Sequence, residues 1–203
     1  MEKLINLLQK VLSKHWKKSM IKKVLIFVVF ILFVNQSKAE ENLMILKLKD
    51  GEVVIDLFSD IAPNHVDRFK KLAQEKKYDG VVFHRVIDGF MAQTGDVQFG
   101  NSNSDSYDIR RAGTGGSEYP DLKSEFSDIP HERGTLSMAR SSDPNSANSQ
   151  FFICFKTASH LDRQYTVFGK VIKGMEFVDL IKKGQGSGGT VNSPDKIISL
   201  SSE

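Results

Sequence analysis

The sequence predicts a mainly β protein, a closed eight-stranded antiparallel barrel capped by two α-helices. Three observations lead there. Short apolar or alternating runs recur along residues 43–200, bounded by Gly, Pro, Asn and Asp. Only two stretches carry a helical apolar period, too few for a strand–helix–strand repeat. Closing such a sheet on itself removes the unpaired edges that many short strands would otherwise expose.

Residues 44–49, apolar at first and alternating apolar and polar from Leu46, read as the first strand. Asp50-Gly51 is a hairpin-turn signal, and residues 52–57 return as the second strand. Pro63 opens a helix running to about Glu75, because Pro at the first helical position gives up no useful donor. Val66, Phe69, Leu72 and Ala73 share one face of it. Apolar runs at 81–86, 90–93, 135–138, 150–155 and 167–172 supply further strands. A second helix covers residues 175–182 and stops at Gly184, and residues 196–200 form the closing strand. Between them, residues 100–130 are rich in Asn, Ser, Asp and Gly, and a loop that long inside a compact domain usually carries function.

The formal charge of +3 hides an asymmetry. Residues 1–39 hold eight Lys and a single acid, Glu2; the remainder has 20 basic against 24 acidic residues, a net of −4. That balance argues against a nucleic-acid partner. Met20-Ile21-Lys22-Lys23, an apolar run over residues 24–34, and small residues at Ser37 and Ala39 form an export-signal pattern. An 11-residue run is short of the ~20 residues that span a membrane, so cleavage near Ala39 and a periplasmic or otherwise exported product are expected, with an uncleaved membrane anchor as the alternative. Residues 1–39 are thus read as a targeting segment, with Met20 as the start and 1–19 as an upstream extension of the reading frame. Residues 40–203 form the folded domain, which meets the membrane only transiently through that segment. The lone Cys154 cannot form an internal disulfide, and no Cys/His cluster has metal-ligand spacing, so no metal or cofactor is expected.

Four segments carry chemistry. They are Phe83-His84-Arg85 followed by Gly89-Phe90-Met91-Ala92-Gln93, then Gly113-Thr114-Gly115-Gly116, then Ser137-Met138-Ala139-Arg140 running on to Ser149-Gln150-Phe151-Phe152-Ile153, and finally Leu161-Asp162 with Val167-Phe168-Gly169. In this order and spacing they resemble the cyclophilin family of peptidyl-prolyl cis–trans isomerases, over residues 43–200. The resemblance implies an enzyme that speeds rotation about X–Pro bonds in exported polypeptides and so assists their folding. Such a reaction needs no nucleophile and no covalent intermediate, because only a rotation barrier of ~18–20 kcal/mol has to fall.

The resemblance assigns Arg85 as the catalytic group, a planar multi-donor addressing the prolyl nitrogen or carbonyl. The plainer reading of that residue alone is an arginine paired with an acid on a barrel rim. Phe90, Met91, Phe152 and Leu161 match the apolar proline pocket, although by pattern alone they read as ordinary core. Gln93 and Gln150 match the residues that position the arginine and bind substrate backbone. Ala139, Arg140 and Ser141 match the segment lining the groove, and Gly113 the door of a secondary pocket. His160 stands where many eukaryotic members have Trp, and Tyr165 where they have His. Both are included in the substrate-binding set, and His160 implies weak cyclosporin sensitivity. His84 reads as structural and Cys154 as a buried, inert thiol.

The binding partners implied are proline-containing polypeptides, and without heptads a monomer is expected. A proline-recognising chaperone or binding module with incidental turnover is the alternative function. A lipocalin-like carrier fits poorly with two helices and this motif set.

Overall fold

The computed structural model describes residues 42–202. The segment read as a targeting sequence, with its cleavage point at Ala39, lies outside the described residues. The eight strands are β1 (Leu43–Leu48), β2 (Gly51–Leu57), β3 (Arg85–Ile87), β4 (Met91–Thr94), β5 (Thr135–Met138), β6 (Phe151–Cys154), β7 (Val167–Lys173) and β8 (Ser199–Ser202). Helix α1 is Pro63–Gln74 and helix α2 is Met175–Asp179.

The strands form one antiparallel sheet in the order β3-β4-β6-β5-β7-β2-β1-β8. This corrects the expected closed barrel: the sheet curls into a half-barrel and stays open between β3 and β8. The gap is crossed by irregular backbone instead of a strand pair. Single bridges join Val82 to Lys196 and Arg85 to Thr190, and Phe83 N–H donates to Asp195 O at 2.8 Å and Val86 N–H to Gly189 O at 2.7 Å. Backbone donors are thereby satisfied without a continuous ladder, which is the requirement that closure was expected to meet. For the same reason the run 81–86 is a strand only from Arg85 onward, although Val81 and Phe83 are fully buried.

Three boundaries move for identifiable reasons. The hairpin turns over Lys49-Asp50, with Gly51 already paired to Leu48. Gly51 is needed for a close approach, since a Cβ there would run into the Phe177 ring. Helix α2 ends at Asp179, three residues early: Lys183 Nζ donates to the Asp179 carbonyl at 2.7 Å and Asp195 Oδ2 accepts the Lys182 N–H at 2.8 Å. The closing strand lies at Ser199–Ser202, because Ile198 N–H reaches Lys47 O and sets the register Lys47↔Ser199.

Helix α1 buries Val66, Phe69, Leu72 and Ala73 as the periodicity predicts, with His65 beside them. Its N-cap, Ala62, has no capping side chain. The Glu125 carboxylate supplies one from the long loop, accepting from Asn64 N–H at 3.2 Å and His65 N–H at 3.1 Å. Behind the helix, Phe69, Tyr78, Phe151 and Phe168 make an aromatic cluster, with Phe69 edge-on to Phe151 at 5.1 Å. The buried Tyr78 hydroxyl donates to Ser149 O at 2.9 Å, so no polar group is stranded there.

Strand β6 is buried along its whole length. Alternation divides it: Phe151 and Ile153 point into the main core, while Phe152 and Cys154 join a second, smaller cluster with Met91, Ala158 and Leu161. That second face is where the site forms.

Candidate active site

Register alone lines up the central residues. Arg85 on β3 faces Gln93 on β4, Gln93 faces Phe152 on β6, and Phe152 faces Ser137 on β5. One row across four strands therefore carries a guanidinium, an amide and an aromatic ring on the same face. The next row places Met91 opposite Cys154.

Above these rows lies a cavity of about 180 Å³. Arg85, Phe90, Met91 and Gln93 line it from the β3–β4 hairpin, Phe152 from β6, and Ala139 and Arg140 from the end of β5. Leu161 and Tyr165 close it from the 3₁₀ turn Ser159–Leu161 and the chain after it. Met91, Phe152 and Leu161 are buried, so the apolar floor is preformed. The reading of these residues as ordinary core is half right: they are packed, but in the second cluster and not the main one.

Arg85 is held at the rim by two bonds. Its Nε donates to Gly188 O at 3.0 Å and its Nη1 to Gln93 Oε1 at 3.2 Å. Among the described residues it makes no ion pair with a carboxylate, so the surface-pair reading of Arg85 does not hold. Gln93 Nε2 donates in turn to Gln150 Oε1 at 3.0 Å. Arg140 folds over the Tyr165 ring at 4.5 Å and gives hydrogen bonds to Gln164 O and Ser141 O. Its guanidinium is thus occupied as a wall, and Tyr165 stands edge-on to Phe152 at 5.9 Å. His160 does not line this cavity; it is exposed beside Phe90, ring centroids 5.4 Å apart.

A second cavity, about 490 Å³, adjoins the first and shares Gln93, Ala139 and Arg140 with it. Gly113 and Gln150 belong here, with Ser141. Its further polar lining, Ser117, Asp121, Ser146 and Asn148, was not singled out from the sequence. Asn148 organises it, donating to Asp121 Oδ1 at 2.9 Å and accepting from the Ser117 N–H and hydroxyl at 2.7 Å each. For Ser117 and Asp121 the available signal is the Ser/Asn/Asp richness of residues 100–130, which marks a functional loop without saying which side chains meet; Ser146 and Asn148 lie outside that stretch.

Beneath Phe152 lies a Ser–His–Asp arrangement. His131 stacks on the Phe152 ring, 6.2 Å and 16° apart; its Nδ1 meets Asp162 at 2.9 Å and its Nε2 meets Ser137 Oγ at 3.0 Å. Burial holds His131 below the usual imidazole range, with Asp162 pulling it partly back. Ser137 is fully buried and donates to Thr166 O at 3.0 Å, so it offers no exposed nucleophile. Burial pushes the Cys154 thiol up to about 12, consistent with an inert core residue.

The site is a preformed apolar pocket with an arginine fixed at its edge by two hydrogen bonds, and its likeness to known proteins is extensive. A profile of the cyclophilin type peptidyl-prolyl cis-trans isomerase/CLD family matches residues 43–202. A probable peptidyl-prolyl cis-trans isomerase of Brucella suis is 59% identical over 164 residues, covering 80% of this chain and 83% of the relative. One from Helicobacter pylori is 39% identical over 153 residues, covering 73% and 86%. Among solved structures, a cyclophilin of Hirschia baltica superposes with a TM-score of 0.66 at 26% identity, over 80% of this chain and 74% of that one. The chain belongs to the cyclophilin family, and its activity is peptidyl-prolyl cis–trans isomerisation.

Proposed function

We propose that the protein isomerises X–Pro bonds in exported polypeptides by holding the proline over Phe90, Met91, Phe152 and Leu161 while Arg85 stabilises the twisted bond. The observation that carries this is Arg85, anchored by Gly188 O and Gln93 Oε1 at the mouth of the apolar cavity and free of any carboxylate among the described residues. A guanidinium has five donors in a fixed fork, so two anchoring bonds leave others for the prolyl nitrogen or carbonyl. As the bond twists, conjugation is lost and the nitrogen becomes pyramidal and more basic. A donor aimed there binds the transition state better than either planar isomer. A ~10⁵-fold acceleration asks for about 7 kcal/mol, within reach of positioning plus one charge-assisted contact at the pocket.

A Cryptosporidium parvum cyclophilin, 25% identical with a TM-score of 0.67, was crystallised in the presence of the dipeptide Ala-Pro. That supports a proline-containing peptide as the occupant of this cavity. The test is a protease-coupled isomerisation assay with an Ala-Pro peptide. Arg85→Ala is expected to lose most of kcat while binding the peptide nearly as well. Near wild-type kcat/KM in that variant would overturn Arg85 as the catalytic group; an Arg85-independent, very low turnover in the unaltered chain beside tight peptide binding is what a proline-binding chaperone would show instead.

Export rests on residues 20–39. The expected mature N-terminus is Glu40, read by intact mass of the protein recovered from its native cells. A mass that includes residues 24–34, found in the membrane fraction, would establish an anchor instead.

A further inference from the structure

We infer that Asp96, a buried carboxylate, is a positioning residue for Arg85, acting through one chain of hydrogen bonds. The inference rests on the reading of Arg85 given above. Asp96 is fully buried and accepts four backbone N–H groups. Its Oδ1 takes Gln98 at 3.1 Å and Phe99 at 2.9 Å; its Oδ2 takes Gly113 at 2.7 Å and Gly115 at 2.9 Å. The same two glycines present their carbonyls to Gln150 Nε2, at 3.0 Å from Gly113 O and 2.8 Å from Gly115 O. Gln150 Oε1 accepts from Gln93, and Gln93 Oε1 accepts from Arg85.

Every link runs in one direction, and the direction is set at the buried end. With both of its N–H bonds committed to two carbonyls, the Gln150 amide cannot flip, since flipping would press its oxygen against theirs. Gln150 therefore offers oxygen to Gln93, which must answer with its NH₂ and turn its own oxygen to Arg85. Were either amide reversed, Arg85 would meet a donor and keep only Gly188 O as an anchor. The start of the chain is a glycine loop whose one side chain between the two glycines, Thr114, bonds back to Arg111 O at 2.8 Å and not to the relay. Gly113 sits at φ +100°, and a Cβ on Gly115 would stand 2.6 Å from Asp96 Oδ1, so the loop is seated directly on the carboxylate. A carboxylate suits this place because both oxygens accept. An asparagine would point NH₂ at two N–H donors and release one of the two segments.

A double-mutant cycle tests this in the full chain, with kcat and KM from the isomerisation assay. Asp96→Asn is expected to lower kcat about ten-fold with KM little changed, but only about two-fold or less in a Gln150→Ala background. The Arg85 Nε–H resonance should shift on Asp96→Asn and stay put when Gln93→Ala has already cut the chain. Equal losses in both backgrounds, or an unmoved Arg85 resonance, would overturn the inference. If Asp96→Asn does not accumulate folded, Gly115→Ala disturbs the same seat with Asp96 intact and is held to the same two outcomes. Should Arg85→Ala keep its activity, the catalytic reading fails separately, and the Arg85 resonance still decides the relay.

Discussion

Arg85→Lys is as informative a change as its removal. Lysine keeps the charge but is a point donor on a flexible stem, and it cannot hold Gly188 O and Gln93 Oε1 while a further N–H addresses the substrate. The expected result is a loss of kcat close to that of Arg85→Ala, read in the same assay. His160 governs a different property. It is exposed beside Phe90 and outside the proline cavity, so substrate turnover should depend on it weakly. In family members with Trp here, the indole covers an apolar part of cyclosporin and donates an N–H to it. Imidazole covers a few tens of Å² less, about 1 kcal/mol, and the unmade hydrogen bond adds about 1 kcal/mol. Inhibition is expected to be tens-fold weaker than in those relatives and to improve in His160→Trp. Equal potency against the two forms would show that this position does not control the drug.

At the scale of elements, helix α1 depends on a residue about sixty positions away. Glu125 caps its first turn and also pairs with the buried His65 Nδ1 at 2.6 Å. Burial pushes the Glu125 carboxyl up, but hydrogen bonds from His65 and Asn64 outweigh it and hold the group below its ordinary range. Glu125→Ala removes a cap, worth about 1 kcal/mol, and strands a buried imidazole nitrogen, costing about 1 kcal/mol more. A fall in melting temperature of roughly 6 °C is expected for a domain of this size. Glu125→Gln retains one acceptor and should cost less. Thermal denaturation of the two variants checks the order, and an unchanged Tm in Glu125→Ala would show that the helix start holds itself. The strands follow simpler logic. On β1 and β2 burial alternates, Met44, Leu46 and Leu48 and then Val53, Ile55 and Leu57 turning inward, with Lys47 and Asp56 marking the outer face in the sequence. On β6 four consecutive apolar residues conceal two opposite faces, and only the partners across the sheet separate Phe151 from Phe152.

At the scale of the whole fold, the three histidines buried among the described residues give stability a common pH dependence. Burial lowers His65, His84 and His131; in His84 it holds the imidazole at about 4, with the Asp96 charge pulling partly upward. Neither ring nitrogen of His84 has a hydrogen-bond partner among the described residues, so its charged form would be poorly served. The unfolded chain takes up these protons near pH 6.5 and the folded chain does not. Stability is therefore complete above that pH and falls as pH drops toward the folded values. His84 alone contributes about 3 kcal/mol of loss between pH 7.5 and 4. Glu125 and Asp162, both depressed, add a further loss as pH falls through their own lowered values. Urea unfolding at pH 7.5 and pH 4 should show it, with His84→Leu flattening the slope; a pH-independent midpoint would contradict the burial argument.

Local chemistry made much of this legible in the sequence. The β1–β2 alternation, the face of α1 and the order of the motifs are properties of neighbouring residues, and neighbours determine dihedral preference and which side of an element is apolar. The site residues Arg85, Gln93 and Phe152 could be named from their motifs, but their lying in one row is a consequence of strand register, which no local stretch encodes. The open edge between β3 and β8, the cap from Glu125, the polar cavity around Asn148 and the bonds from Gly113 and Gly115 to Asp96 all join segments apart along the chain. Those were decided by tertiary structure, because a buried donor or acceptor is satisfied by whatever partner the fold brings within 3 Å, at any distance in sequence.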